Sequence, residues 1–194
     1  MHQIQRRDLA DTISWARRTS ADPNVLYLDT ETTGLDSGAE IVDIAVIDSS
    51  GQVLLETLVR PDRPIPPDAT RIHGITNAMV AGAARWPEIA PQVGRLLSRA
   101  SSVVIYNAEF DARIMDQCNA RCRLPRYRAS WHCAMKQYAC FAGRRHDRYG
   151  GYRWHKLTDA AATFGYRDTI QHRALADARL CRAVVYGMAG WRPG

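Results

Sequence analysis

The chain has 194 residues, 46% hydrophobic and 24% charged, with a formal net charge of +6 and an isoelectric point near 9.3. That length suits one domain with a sizeable core and is short for two. No apolar run reaches membrane-spanning length, the stretch Met1 to Arg18 lacks the apolar block of a secretory signal, and five cysteines, an odd number, do not make a disulfide framework; the expected setting is reducing and cytoplasmic, with no membrane partner.

Residues 4–18, with Ile4, Leu9, Ile13 and Trp15 among charges, read as an amphipathic helix, within an extension (1–20) preceding a domain of residues 24–190. Three strand-like runs follow, Val25 to Thr30, Ile41 to Asp48 and Gln52 to Val59, the last two joined by the tight turn Ser49-Ser50-Gly51, as in an antiparallel meander. The segment Arg60 to Thr76, with Pro61, Pro64, Pro66 and Pro67, reads as a long surface loop. Helical patterning resumes at Trp86, and Ile89, Val93, Leu96 and Leu97 share one face. Val103 to Tyr106 reads as a short buried strand running into Asn107, a natural helix cap, and a helix from Ala108 to about Cys122. A strand around Ser130 to Ala134, an Arg- and Tyr-rich loop from Gly143 to Arg153, and helices over about 156–164 and 174–188 complete the chain. Strands in a meander, then strands alternating with helices, predict a mixed α/β sheet with helices on its faces.

The chemistry gathers at the end of the first strand. Asp29 and Glu31 are two residues apart, so a strand turns both carboxylates to one face, where their charges repel unless a cation lies between them. A hard divalent ion such as Mg²⁺ or Mn²⁺ fits that pair and leaves positions open for phosphate and water, although a solvated turn would hold the same two residues. Asp111 falls in the first turn of a helix that starts at a strand's end, where the positive helix terminus tolerates an anion. His172 and Asp177 are five residues apart, roughly 140° around a regular helix, so they share a site only if His172 sits on the loop before the helix, and Tyr166 to Gln171 supplies such a loop. Cys118, Cys122, Cys133 and His132 lack the paired C-x-x-C spacing of a zinc knuckle. Basic residues crowd Arg121 to Arg173, which suits either a polyanion partner or an Arg-rich soluble surface; Arg144, Arg145, Arg148, Tyr149, Tyr152, Arg153 and Trp154 mix cations with aromatic faces, as single-strand binding surfaces do and as solvated loops also can.

Taken together, Asp29-Thr-Glu31-Thr-Thr-Gly34-Leu35, Ile72-His73-Gly74-Ile75-Thr76, Asn107-Ala-Glu-Phe110-Asp111 and His172-Arg-Ala-Leu-Ala-Asp177 resemble, in order and spacing, the DEDD superfamily of 3′-to-5′ exonucleases, in its histidine-bearing branch with the DNA polymerase III proofreading subunit. The resemblance covers residues 24–188 and implies a ribonuclease H-like sheet of five strands, antiparallel then parallel, with helices on both faces. It implies that Asp29, Glu31, Asp111 and Asp177 hold two Mg²⁺ or Mn²⁺ ions and that His172 is the general base, since an imidazole with an ordinary pKa of about 6.5 can be neutral at working pH. It places Thr30, Thr33, Gly34 and Leu35 beside the terminal nucleotide. Asn107 either contacts a phosphate or only caps its helix, Phe110 either stacks on a base or belongs to the core, and His73 either borders the strand's path or belongs to a turn around Gly74. The implied substrate is a single-stranded 3′ end, DNA favoured over RNA, with a nucleoside 5′-monophosphate as product. A polymerase partner goes with the proofreading-subunit reading and a repair or adaptation partner with the other; ending shortly after the last helix, the chain reads as a free-standing nuclease in repair, degradation or end trimming. A 3′-to-5′ exoribonuclease and a non-catalytic nucleic-acid-binding module are the other readings, the latter opposed by the intact carboxylates.

Overall fold

The computed structural model describes residues 2–146, 150–166 and 172–192. The side chain of Ile4, residues Arg148 and Tyr149 of the basic loop, and residues 167–171 of the loop before His172 lie outside that description. Five strands, β1 (Val25–Thr32), β2 (Ile41–Asp48), β3 (Val53–Leu58), β4 (Ser102–Ile105) and β5 (Trp131–Cys133), form one sheet in the order β3-β2-β1-β4-β5. The pairs β1–β2 and β2–β3 are antiparallel, whereas β1–β4 and β4–β5 are parallel. The meander and the later parallel strands are thus as the sequence pattern predicts.

Eight helices are described: α1 (His2–Ala21), α2 (Pro67–His73), α3 (Asn77–Val80), α4 (Trp86–Leu97), α5 (Ala108–Arg121), α6 (Ala134–Ala142), α7 (Leu157–Ala162) and α8 (Ala174–Gly190). Alternation along β1 divides the core in two. Leu26 and Leu28 pack with Ile44, Val46 and Ile105 against Trp86 and Val93 of α4 and Ile114 and Met115 of α5. Val25 and Tyr27 face the other way with Val104 and Tyr106, against Val184, Val185 and Met188 of α8, Tyr138 of α6 and Ala16 of α1. Burying both faces makes the central strands near-continuous apolar runs, and Tyr27, Leu28, Ile44 and Ile47 are fully buried. No described helix is long and apolar enough to cross a membrane.

Three helices, α2, α3 and α6, differ from the pattern read in the sequence. The proline-rich segment is not one long loop: Pro67, at the first helical position with its φ already helical, opens α2, and Gly74 closes it at φ 73° in the left-handed region. Ile65, Ala69, Ile75 and Val80 then form a third small core with Val42. Helix α6 has no counterpart in the predicted elements, because Ala-Met-Lys-Gln-Tyr-Ala-Cys-Phe-Ala is too short to establish a period.

Candidate active site

The site lies where β1 ends. Continuing the alternation of Val25 and Tyr27 carries Asp29 and Glu31 to the face covered by α8, and both are half-buried. Helix α5 leaves the adjacent parallel strand β4, so its first turn arrives beside the end of β1. There Asp111, 3% exposed, accepts hydrogen bonds on Oδ1 from the backbone N–H of Thr30 at 3.2 Å and from its hydroxyl at 2.7 Å. Helix α8 brings Asp177 in its first turn, and the residue two before that helix, His172, turns back toward it, Nδ1 lying 3.7 Å from Asp177 Oδ2. Ligand atoms of Glu31, His172 and Asp177 all lie within 4.8 Å of one another, and they are the one such group among the described residues.

Asp29 and Asp111 stand outside that group but share its field. Burial, then the charges of Asp111, Asp177, Glu31 and Asp43, hold the Asp29 carboxyl well above the usual range. Burial, then Asp177, Asp43 and Asp111, push Glu31 up to about 8 against the pull of Arg173. Asp111 is pushed up to about 7 by burial, although its bonds to Thr30 oppose the shift. Burial raises Asp177 too, with His172 opposing. A cluster that resists its own ionisation is what several buried carboxylates do before a cation joins them. These oxygen donors suit a hard divalent ion, and the N-termini of α5 and α8 add only partial positive charge.

Two participants were not anticipated from sequence. Asp43 stands opposite Glu31 in the β1–β2 register, is 1% exposed, and accepts from Arg173 Nε at 2.8 Å and from the Ala174 N–H at 3.4 Å. In the sequence Asp43 is one more residue of the run Ile-Val-Asp-Ile-Ala-Val, and only an acid at an otherwise apolar inward position hints at a role. Tyr106, whose hydroxyl donates to the His155 carbonyl at 2.9 Å, is the other.

The expected substrate residues divide between two cavities. One of about 370 Å³ is lined by Thr30, Glu31, Thr33, Gly34, Leu35, His73 and Phe110 among others. Leu35 and Ile72, 79% and 62% exposed, are apolar side chains at this cavity, the kind of exposure that marks a ligand-facing surface. A Cβ on Gly34 would meet nothing within 4 Å. Phe110 combines both of its expected roles, packing in part on the core while facing the cavity. His73 belongs to the turn as well: it is buried, its Nδ1 accepts the Ile75 N–H at 3.0 Å, and its Nε2 makes no hydrogen bond. Asn107 lies apart, in a second cavity of about 580 Å³ with His172 and Asp177. It occupies the cap position of α5 with φ 94°, and its side chain makes no capping bond, so the expectation of a side-chain cap is corrected. Asparagine is among the few residues that tolerate the left-handed region, which leaves its amide facing the cavity. The cysteines and His132 form no metal-ligand group among the described residues; Cys118 is core, and His132 Nδ1 accepts from Trp15 Nε1 at 3.2 Å.

Residues 26–185 match the family model described as Exonuclease. The uncharacterized exonuclease CP81 of Escherichia phage 186 is 41% identical over 187 residues, covering 92% of this chain and 94% of that protein. The DNA polymerase III subunit epsilon of Treponema pallidum is 33% identical, covering 79% of this chain and 70% of its own. Among solved structures, exonuclease X in complex with 5′ overhanging duplex DNA superposes with a TM-score of 0.62 at 31% identity, covering 87% of this chain and 94% of that one.

Proposed function

The chain belongs to the exonuclease family and is a nuclease, and from that premise we propose that it removes nucleotides one at a time from the 3′ end of single-stranded DNA, releasing nucleoside 5′-monophosphates. The observation that carries this reading is the convergence of Glu31, His172 and Asp177 within 4.8 Å, beside Asp29 and Asp111, between two cavities. The enzyme depends on a divalent metal, as its family does; the finer assignment is to two Mg²⁺ or Mn²⁺ ions held by Asp29, Glu31, Asp111 and Asp177. When bound, such ions supply charge for the attacking and departing oxygens of an in-line displacement at phosphorus.

The chain's own residues do the rest. Asp111 is fixed by Thr30, and Asp177 is presented by the first turn of α8. His172, exposed and outside the helix, turns Nδ1 toward Asp177, so Nε2, which makes no hydrogen bond among the described residues, is the atom assigned to take the proton from the attacking water. Thr30, Thr33, Gly34, Leu35, His73 and Phe110 border the space assigned to the terminal nucleotide, and Asn107 faces the scissile phosphate from the other cavity. Residues 24–190 form the exonuclease unit, with residues 1–20 as an addition to it. Five free thiols suit a reducing, cytoplasmic setting. DNA is preferred to RNA because the relatives whose names state a substrate are DNA enzymes. A polymerase partner, suggested by the epsilon relative, is the second reading.

Matched 5′-labelled DNA and RNA strands, incubated with Mg²⁺, Mn²⁺ or EDTA and resolved on a sequencing gel, test the proposal. A ladder shortening from the 3′ end, abolished by EDTA and faster on DNA, supports it; internal cuts, shortening from the 5′ end or indifference to EDTA contradict it.

A further inference from the structure

Helix α1 and the basic hairpin after α6 contribute none of the residues assigned to the chemistry. The hairpin's legs pair through an Arg145–Tyr152 bridge, with the Arg153 N–H donating to the Arg144 carbonyl at 2.8 Å and the His146 N–H to the Gly151 carbonyl at 3.1 Å. The Arg145 guanidinium lies 5.2 Å from the Tyr152 ring centroid. Its second leg is held twice. Tyr152 donates from its hydroxyl to Asp8 Oδ2 of α1 at 2.5 Å, and Tyr106, at the end of β4, holds the His155 carbonyl.

Between and just beyond these two anchors stand Arg153, Trp154 and Lys156, all exposed, Trp154 at 64%. Trp154, His155 and Lys156 line the second cavity, whose other lining includes Asn107, His172 and Asp177. The first cavity contains Glu31. Because Glu31, His172 and Asp177 are mutual neighbours, the acidic group lies between the two cavities. Arg144, Arg145, Arg153 and Lys156 form no ion pair among the described residues. An aromatic face among exposed cations, opening on the acidic site, matches a nucleic-acid backbone with splayed bases.

We propose that the two described legs of this hairpin, residues 144–146 and 150–156, are the wall that binds the nucleotides on the 5′ side of the scissile phosphate, and that Asp8 is a positioning residue which sets the wall through Tyr152. The inference rests on the 3′-end reading above. With the terminal nucleotide in the first cavity and its phosphate at the carboxylates, the strand continues into the second. A carboxylate beside a polyanion site works against binding by its charge, so Asp8 acts through the acceptor it offers the Tyr152 hydroxyl. Helix α1 can bear that load because it is itself tied down: Thr12 donates to Gln137 of α6 at 3.3 Å, and Arg17 Nε donates to the Ala189 carbonyl of α8 at 3.1 Å.

The test compares the full chain with Asp8→Ala, Asp8→Asn and the pair Arg144→Ala/Arg153→Ala, on a labelled oligothymidylate and on the p-nitrophenyl ester of thymidine 5′-monophosphate, which has no 5′ neighbour to reach the wall. Asp8→Ala is expected to raise KM for the oligonucleotide about fivefold with kcat and ester hydrolysis unchanged, and Asp8→Asn, which keeps an acceptor for Tyr152, to restore it. The arginine pair is expected to weaken oligonucleotide binding and to reduce the slope of log affinity against log salt by about 1.4, the single-strand value for two phosphate contacts. Oligonucleotide KM unchanged in Asp8→Ala, equal losses on oligonucleotide and ester, or no rescue by Asp8→Asn overturns the positioning role; an unchanged salt slope in the arginine pair overturns the wall. Failure of the unmodified chain to shorten the oligonucleotide from its 3′ end would instead sink the underlying function.

Discussion

Arg173 donates from Nε to Oδ2 of Asp43 at 2.8 Å, and Asp43 stands opposite Glu31 in the β1–β2 ladder, so the residue next to His172 is tied to the strand next to Glu31. The pair is unequal, with the Asp43 side chain 2% exposed and that of Arg173 34%. Removing Arg173 strands a buried charge whose other oxygen, Oδ1, already lacks a partner, whereas Arg173 without Asp43 can turn to solvent. Arg173→Leu is therefore expected to destabilise the fold by about 3 kcal/mol, and Asp43→Asn by about 1 kcal/mol. Urea titrations in EDTA check the order, which equal losses would contradict. Arg173→Leu is also expected to lower kcat, since the residue next to His172 loses its tie to Asp43.

The pH response of the metal-free enzyme follows from the raised carboxyls. Glu31 titrates near 8 in the fold against an ordinary 4.5, and Asp111 near 7 against 3.8. The folded state thus holds protons that the unfolded chain has released. The advantage is complete below the ordinary values and is lost as pH rises from there through about 7 to 8. Melting curves in EDTA should show a lower Tm at pH 8 than at pH 5.5. Mn²⁺, which binds the ionised carboxylates, should raise Tm far more at pH 8. A metal effect of equal size at both pH values would contradict the coupling.

Thr30 acts on the site through Asp111. Thr30→Val keeps the strand and the 3.2 Å backbone bond but removes the 2.7 Å hydroxyl donor. Loss of a buried bond to a charged acceptor is expected to cost about 1.5–3 kcal/mol in stability. Apparent Mn²⁺ affinity is expected to fall with it, as read by the metal dependence of hydrolysis; an unchanged metal dependence would show that Asp111 needs no such support.

Helix α8 must lie close to the segment after α7 for its first turn to reach the site. At Gly187 a Cβ would overlap the Phe164 ring, whereas at Gly190 it meets nothing within 4 Å. Gly187→Ala is expected to cost about 1–3 kcal/mol by overpacking, and Gly190→Ala to be neutral or stabilising by up to about 1 kcal/mol. Thermal unfolding of the two variants separates them, and equal midpoints would contradict the packing.

Strands β1 and β2 were legible in the sequence because their apolar runs are long and bounded by turn residues, and Asp29 with Glu31 because a period of two leaves no choice of face. Helix α2 was hidden by prolines that signal breaks while Pro67 in fact starts a helix, and α6 by its length. His172 and Asp177 could be paired by spacing once a loop was assigned before α8, but Asp43 could not, since its partner Arg173 is 130 residues away. Separation of Asn107 from Phe110 into different cavities depends on the φ of 94° at Asn107, which no pattern of residue types reveals.

The central claim is that Asp29, Glu31, Asp111 and Asp177 hold two divalent ions, and electron paramagnetic resonance of Mn²⁺ titrated into the chain with thymidine 5′-monophosphate tests it most directly. Two ions per chain, with at least one lost or greatly weakened in Asp177→Asn, is the expected result. An unmodified chain that takes up no Mn²⁺, or an Asp177→Asn variant that binds as the unmodified chain does, would contradict it.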